Sequence, residues 1–367
     1  AYDIGFAAGR RLVDDYAEIF RIQGAANTET LISRPYSSTR QRRGHDEERR
    51  VRPRSENQNS GPHSGYRATV KLLRAYPMKD GNRIDETGNY TYDDVLFWKD
   101  RDPRFEATMA YNGSVWELSG KTGRRQWNHE GASNNGRAES ANWAVYCKKF
   151  STPGLSEEAV PYTDGRGGSG MDWIEMRFAE VMLNLADCAN ETGDMATAKD
   201  MVRQIRQRAR IEQGSNDYGL GNIASIEQMR NLLLNERMVE FSFENKRTSD
   251  LRRTRNWHKL TGEFLEVYQV LVAGETGADR TAKINELEAI DPDTGQPFRD
   301  GLDLNDRNVY LEYFQPHYIV PQGNGFRAMN IPEYHNFYTF HNDFVRRGVN
   351  IETTIGWEGG TFDPLDD

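Results

Sequence analysis

Four tryptophans, Trp98, Trp116, Trp127 and Trp143, fall within residues 82–170, a stretch rich in Gly and Asn with no sustained helical or strand period. Each stands beside amide, acid or guanidinium side chains, in NYTYDDVLFW (89–98), YNGSVWEL (111–118), RRQWNHEG (124–131) and SANWAVY (140–146). An indole can cover the apolar C–H face of a sugar ring while neighbouring carboxamides bond its hydroxyls. Asn112, Asn128 and Asn142 are the carboxamides placed to do so. Trp116 and Trp127 rank first, because they flank the glycine-rich SGKTGRR turn (119–125), which is expected at the surface. The competing reading is that these indoles close a loop-rich core, since Trp is highly buried on average. One or two exposed platforms are expected, not four.

Other chemistries find less support. The motifs GxSxG, HExxH, GxxxxGK[ST] and CxxC are absent. The glycine run at 165–170 lacks the Lys-Ser/Thr ending of a phosphate loop and reads as a connector. His335 and His341, six apart, fit neither helical nor finger ligation. Asp291, Asp293, Asp300 and Asp303 are spaced like calcium ligands, but Gly295 falls where a third ligand belongs, and an Asp-Pro-Asp-Thr-Gly turn is the better reading. No cofactor is therefore expected, with calcium the one alternative. No carboxylate pair stands out among 56 acids, and the chain is not expected to be an enzyme. Glu236, Arg237, Glu240, Arg247 and Asp250 alternate in sign at helical spacing. A clamp for an anion is conceivable chemistry for such a cluster, but a partly buried ion-pair network is the expectation.

The elements that must position these residues are mainly helical. Ile4, Ala7, Ala8, Leu12, Val13 and Tyr16 make a helical stripe at the start of the chain, followed by a turn at Gly24 and an apolar Thr30-Leu31-Ile32. Because the chain opens inside a helix, it is read as the C-terminal portion of a longer protein. Residues 37–65 carry Arg40, Arg42, Arg43, Arg49, Arg50, Arg52 and Arg54 and are expected to be a solvated loop. Val70 and Leu73 start a helix that Pro77 stops. The strongest pattern runs over 172–211. Ile174, Phe178, Val181, Met182, Leu185, Ala186 and Ala189 share one face, with Asp172 as N-cap and Gly193 as the C′ residue. Ala198, Val202, Ile205 and Ala209 form a second stripe, so the two helices make a hairpin. Ser225 and Gln228 are a capping box opening a third helix. Phe264–Val272 is the best helical piece of the irregular remainder. Net charge is −9, against a general nucleic-acid binder, and no apolar run is long enough to span a membrane. Cys147 and Cys188 leave the question of a disulfide open.

Several segments, in order, resemble the SusD/RagB family of outer-membrane nutrient-binding lipoproteins. They are LLRAYPMKDG (72–81), RDPRFEATMAYNGSVW (101–116), MRFAEVMLNLADCANETGDMATAKDMVRQIRQRARI (176–211), LLLNERMVEFSFENKRTSDLRR (232–253) and IETTIGW (351–357). Asp187 stands where the family helix usually carries Glu, and Arg210 where Gly usually follows Arg-Ala. The resemblance implies a mainly α fold, with tetratricopeptide-like helix pairs on a large loop-rich C-terminal region. It divides the chain, as the C-terminal portion of a single domain, into the end of a helical repeat (1–35), the Arg-rich loop (37–65), a ligand-side region (66–170), a hairpin with a third helix (172–253) and an irregular end (254–367). It further implies a non-catalytic lid that passes glycan, or in one branch peptide, to a SusC-like TonB-dependent transporter. Such lids are lipid-anchored, through an N-terminal segment this chain lacks, to the extracellular face of the outer membrane.

Overall fold

The computed structural model describes residues 1–40, 43–57, 65–139, 141–163, 166–321, 327–348 and 350–366. Arg42, Ser140 and Gly165 lie outside them. The helices are α1 (Tyr2–Ala7), α2 (Glu47–Val51), α3 (Val70–Ala75), α4 (Pro103–Thr108), α5 (Phe178–Glu191), α6 (Met195–Arg208), α7 (Ile226–Glu240), α8 (Arg247–Arg253), α9 (Gly277–Glu288), α10 (Arg307–Tyr313) and α11 (Asn342–Arg347). Sheets are small, each of two strands among the described residues, so the fold is mainly α. The chain divides into two compact units, one of Ala1–Phe243 with Glu266–Ile319, the other of Glu244–Leu265 with Val320–Asp367.

In the first unit, α5 and α6 form the expected hairpin. Gly193 takes φ +85° just past α5, and the Asp194 carboxylate caps α6 by accepting from the Thr197 N–H at 3.0 Å. Phe178, Met182, Ala186, Val202 and Ile205 interlock with Met229 and Leu233 of α7 in one buried cluster. The Ser225–Gln228 capping box is present at the start of α7. A second cluster, richer in aromatics, joins α3 and α4 to the loops of 96–145 and to the strand Val267–Val272.

Several sequence expectations are corrected. The opening stripe yields only the short α1, because Gly9 turns left-handed at φ +81° and the Val13 N–H is taken by the Glu29 carboxylate at 2.9 Å. Asp172 does not cap α5. Trp173–Arg177 is a strand paired antiparallel with Thr30–Arg34, and the Asp172 carboxylate instead accepts from the backbone of Gly24 and Tyr36. Phe264–Val272 is not helical: Val267–Val272 pairs with Phe314–Ile319 along its whole length. The Arg-rich stretch is not simply a solvated loop. It carries α2, and Arg52 is fully buried, its Nη2 bonding Glu48 at 2.6 Å and the carbonyls of Thr152 and Leu155 at 2.8 and 2.9 Å. Glycines 167 and 168 serve a short hairpin between Tyr162–Thr163 and Arg166–Gly167. Both cysteines are free thiols, Cys147 buried and Cys188 exposed.

Candidate functional site

The structure buries three of the four indoles proposed as platforms. Trp127 is 1% exposed, packs on Phe314 and donates its Nε1–H to Asp300 at 2.7 Å. Trp116 packs with Ala110, Leu118 and Tyr146 and donates to the Ser151 hydroxyl at 3.1 Å. Trp98 stacks on Tyr111 with centroids 4.9 Å apart and meets Tyr310 edge-on. These indoles have no open face, so the expectation of an exposed platform at Trp98, Trp116 or Trp127 is corrected. The turn between Trp116 and Trp127 does reach solvent at Gly120, Thr122 and Gly123, but the rings beside it face inward.

Asn112 and Asn128 are also buried and serve the backbone instead of a ligand. The Asn128 N–H donates to the Asn112 Oδ1 at 2.9 Å, and the Asn128 Nδ2 donates to the Ala144 carbonyl at 2.9 Å. A region with so little regular sheet must satisfy its buried backbone groups through side chains. Asn142 is exposed and Trp143 partly so, at a left-handed φ of +60°. They flank Arg67, whose Nη1 bonds both carbonyls, and the Gln269 carboxamide bonds that of Asn142.

The charged cluster is a buried knot within the first unit, and its membership differs from the expected one. Glu236 and Glu240 belong to it. Arg104 Nη1 lies 2.8 Å from both carboxylates and its Nη2 2.7 Å from Asp102. Arg177 bridges Glu29 at 2.5 Å and Glu240 at 2.6 Å, Arg206 holds Glu236 at 2.8 Å, and Arg208 joins Glu29 and Glu240. Four guanidiniums thus face four carboxylates, all nearly excluded from water. Burial would raise the Glu240 carboxyl, but Arg208, Arg177 and Arg104 together hold it well below the carboxylate range. Glu236 is lowered in the same way, against its own burial, by Arg104 and Arg206. Arg237 bonds the Asn184 carboxamide at 2.9 Å and lies 3.9 Å from the Glu180 carboxylate, while Arg247 and Asp250 belong to the second unit. There burial lowers Arg247, with Asp250 and Glu263 opposing. The remaining members, Glu29 apart, sit in the segments that carried the family resemblance: RDPR, MRFAE and IRQR.

The knot supports a cleft. Arg206, pinned by Glu236, bonds the carbonyls of Gly81 and Tyr218 through Nη1 at 3.0 and 2.5 Å. The loops carrying Gly81 and Gly219 meet so closely that a Cβ on Gly81 would stand 2.1 Å from the Tyr218 oxygen. Above that floor, α7, the end of α3 and residues 81–86 enclose about 540 Å³, within the roughly 300–1,000 Å³ of ordinary ligand sites. Its lining includes Ile84, Asn222, Ile223, Gln228, Asn231, Leu232 and Asn235. Sequence reasoning missed it, because the walls come from three separate segments and no single one carries a motif. Among the described residues no three His, Cys, Asp or Glu side chains gather as a metal site. The Asp291 carboxylate accepts from the Asp293 and Thr294 N–H groups at 2.8 and 3.2 Å, which makes a turn.

Against known proteins, the sequence profile of the SusD family matches residues 28–316, well over half of the chain. The chain belongs to the SusD family. A curated relative, SusD-like protein P2 of Formosa agariphila, is 32% identical over 96 residues, 26% of this chain and 19% of that protein. A solved SusD-like protein of Bacteroides fragilis superposes with a TM-score of 0.62 at 19% identity, covering 97% of this chain and 60% of that one. A second solved structure from Bacteroides fragilis, described as a SusD-like carbohydrate binding protein, gives a TM-score of 0.55 at 19% identity over 81% of this chain and 54% of the other. The chain therefore spans about 60% or less of the length of these SusD relatives.

Proposed function

We propose that this SusD-family chain is part of a non-catalytic surface protein that captures oligosaccharide and hands it to a SusC-like TonB-dependent transporter, held at the extracellular face of the outer membrane by a lipid anchor. The observation that carries this reading is family membership over residues 28–316. The carbohydrate-binding description of one fold relative agrees with it. So does the chemistry of the cleft, where carboxamides and aliphatic side chains sit side by side. No helix among the described residues is long and apolar enough to cross a membrane. Capture and release need no cofactor. Of the residues singled out in the sequence, Asn142 and the partly exposed Trp143 remain within reach of a ligand.

Peptide is the second reading. It is favoured by Gln228, Asn231 and Asn235 lying along one helix, since carboxamides pair with peptide units as readily as with hydroxyls. An array of glycans and peptides probed with the protein decides between them. Glycan spots without release of new reducing ends support the proposal. Peptide spots alone favour the second reading, and new reducing ends would show an enzyme.

A further inference from the structure

The cleft beside α7 has a definite electrostatic character. Each guanidinium that lines it already faces a carboxylate: Arg206 faces Glu236 at 2.8 Å, Arg83 is held in a fork by Asp85 at 2.9 and 3.0 Å, and Arg74 lies 3.5 Å from Asp94. Arg206 and Arg83 each make two contacts to their carboxylate, which leaves them little charge for a ligand, whereas Arg74 and Asp94 make a single, exposed approach. An anion entering here would compete with the carboxylate already beside each guanidinium, and the Arg206–Glu236 pair also holds the floor.

The groups that remain available are carboxamides and the exposed Glu86 carboxylate, which accepts from the Arg83 N–H at 3.0 Å. The side-chain amides of Asn222 and Asn231 make no hydrogen bond among the described residues. Asn235 donates from Nδ2 to the Ala75 carbonyl at 2.8 Å, and Gln228 accepts two backbone N–H groups through Oε1, so each keeps its other end for a ligand. Gln228, Asn231 and Asn235 repeat at three and four residues, which places them on one face of α7 and within about 10 Å along its axis. Between them lie Ile84, Ile223 and Leu232, partly buried and aliphatic. Tyr76, the aromatic residue of the lining, is fully buried, so no ring face is offered for stacking.

We propose that this cleft is a subsite for uncharged sugar residues, gripped at their hydroxyl edges by Asn222, Asn231 and Asn235 and covered on their C–H faces by Ile84, Ile223 and Leu232. The proposal rests on the glycan reading above and names its ligand class. A carboxamide offers a donor and an acceptor side by side, which suits two neighbouring hydroxyls. Uronic or sulfated sugars find no unpaired cation in the cleft and are selected against.

The test is calorimetric titration of the protein with neutral hexasaccharides of glucose, xylose and mannose and with a hexasaccharide of galacturonate. The variants are N222A/N231A and Asn231→Arg, the second of which puts a longer side chain where the carboxamide stood. Asn222 and Asn231 are exposed, so the melting temperature should not move. A neutral hexasaccharide is expected to bind at least about tenfold more tightly than galacturonate, and each variant to lose at least about tenfold. Preference for galacturonate, or variants that bind the neutral sugar as the wild type does, would overturn the subsite while leaving glycan capture standing. If the wild type binds no member of the panel, the glycan reading falls and the subsite with it.

Discussion

At Trp98, Trp116 and Trp127 the indole closes the core and offers no platform. Trp127 shows why. Its ring fills the space above Gly113, whose φ of +79° and lack of a Cβ let the backbone pass within reach of the indole and of Leu304. Trp127→Ala is therefore expected to lower unfolding free energy by about 3–5 kcal/mol in a denaturant titration, with sugar binding unchanged where the variant stays folded. The knot behaves in the same way. Removing Arg104 leaves Asp102, Glu236 and Glu240 without their shared cation, and Arg104→Ala should be destabilised by about 3–5 kcal/mol. Titration adds a pH signature. Burial holds His129 neutral, lowering it from 6.5 to about 4, with the nearby Arg299 acting in the same direction. The unfolded chain then takes up a proton that the folded one refuses, so this contribution is intact above pH 6.5 and is lost as pH falls toward 4, by about 1.4 kcal/mol per pH unit. Glu236 and Glu240 are shifted below the ordinary 4.5, so their contribution is present above that value and is lost below it. Urea midpoints should fall between pH 6.5 and 4 in the wild type and fall less in His129→Gln.

At the scale of elements, what the sequence revealed and what it hid have physical causes. Helices α5 to α7 were legible because three signals coincide: apolar period, the Asp194 and Ser225 caps, and a glycine at C′. The strand Val267–Val272 was not, because a short apolar run fits either period until its partner is known, and Phe314–Ile319 lies far along the chain. The cleft was hidden for the same reason; of the knot, a buried network at Glu236 and Glu240 was expected, while their partners Arg104, Arg177, Arg206 and Arg208 come together only by tertiary contact. One departure from the family pattern now has a meaning. Arg210 follows α6 at φ +62°, the left-handed conformation in which helices commonly end, and its side chain is exposed. Glycine adopts that conformation without a Cβ penalty, so Arg210→Gly should raise stability by about 1 kcal/mol, read as a higher melting temperature. No change or a loss would show that the arginine side chain contributes in a way its exposure does not suggest.

For the whole molecule, the helical hairpin, the knot and the cleft form one line of support. The segments that mark the family supply most of the buried charges, and these charges fix the loops that floor an amide-lined cavity. Two of the segments that mark the family, 72–81 and 232–253, also line the cleft, so the same stretches of chain both carry buried charges and shape the cavity. The most direct measurement is a crystal structure of the protein soaked with the neutral hexasaccharide that binds best. The account predicts sugar density between α7 and residues 81–86, with hydroxyls in hydrogen-bond reach of Asn222, Asn231 and Asn235. Sugar stacked on a tryptophan instead, with the cleft empty, would contradict it.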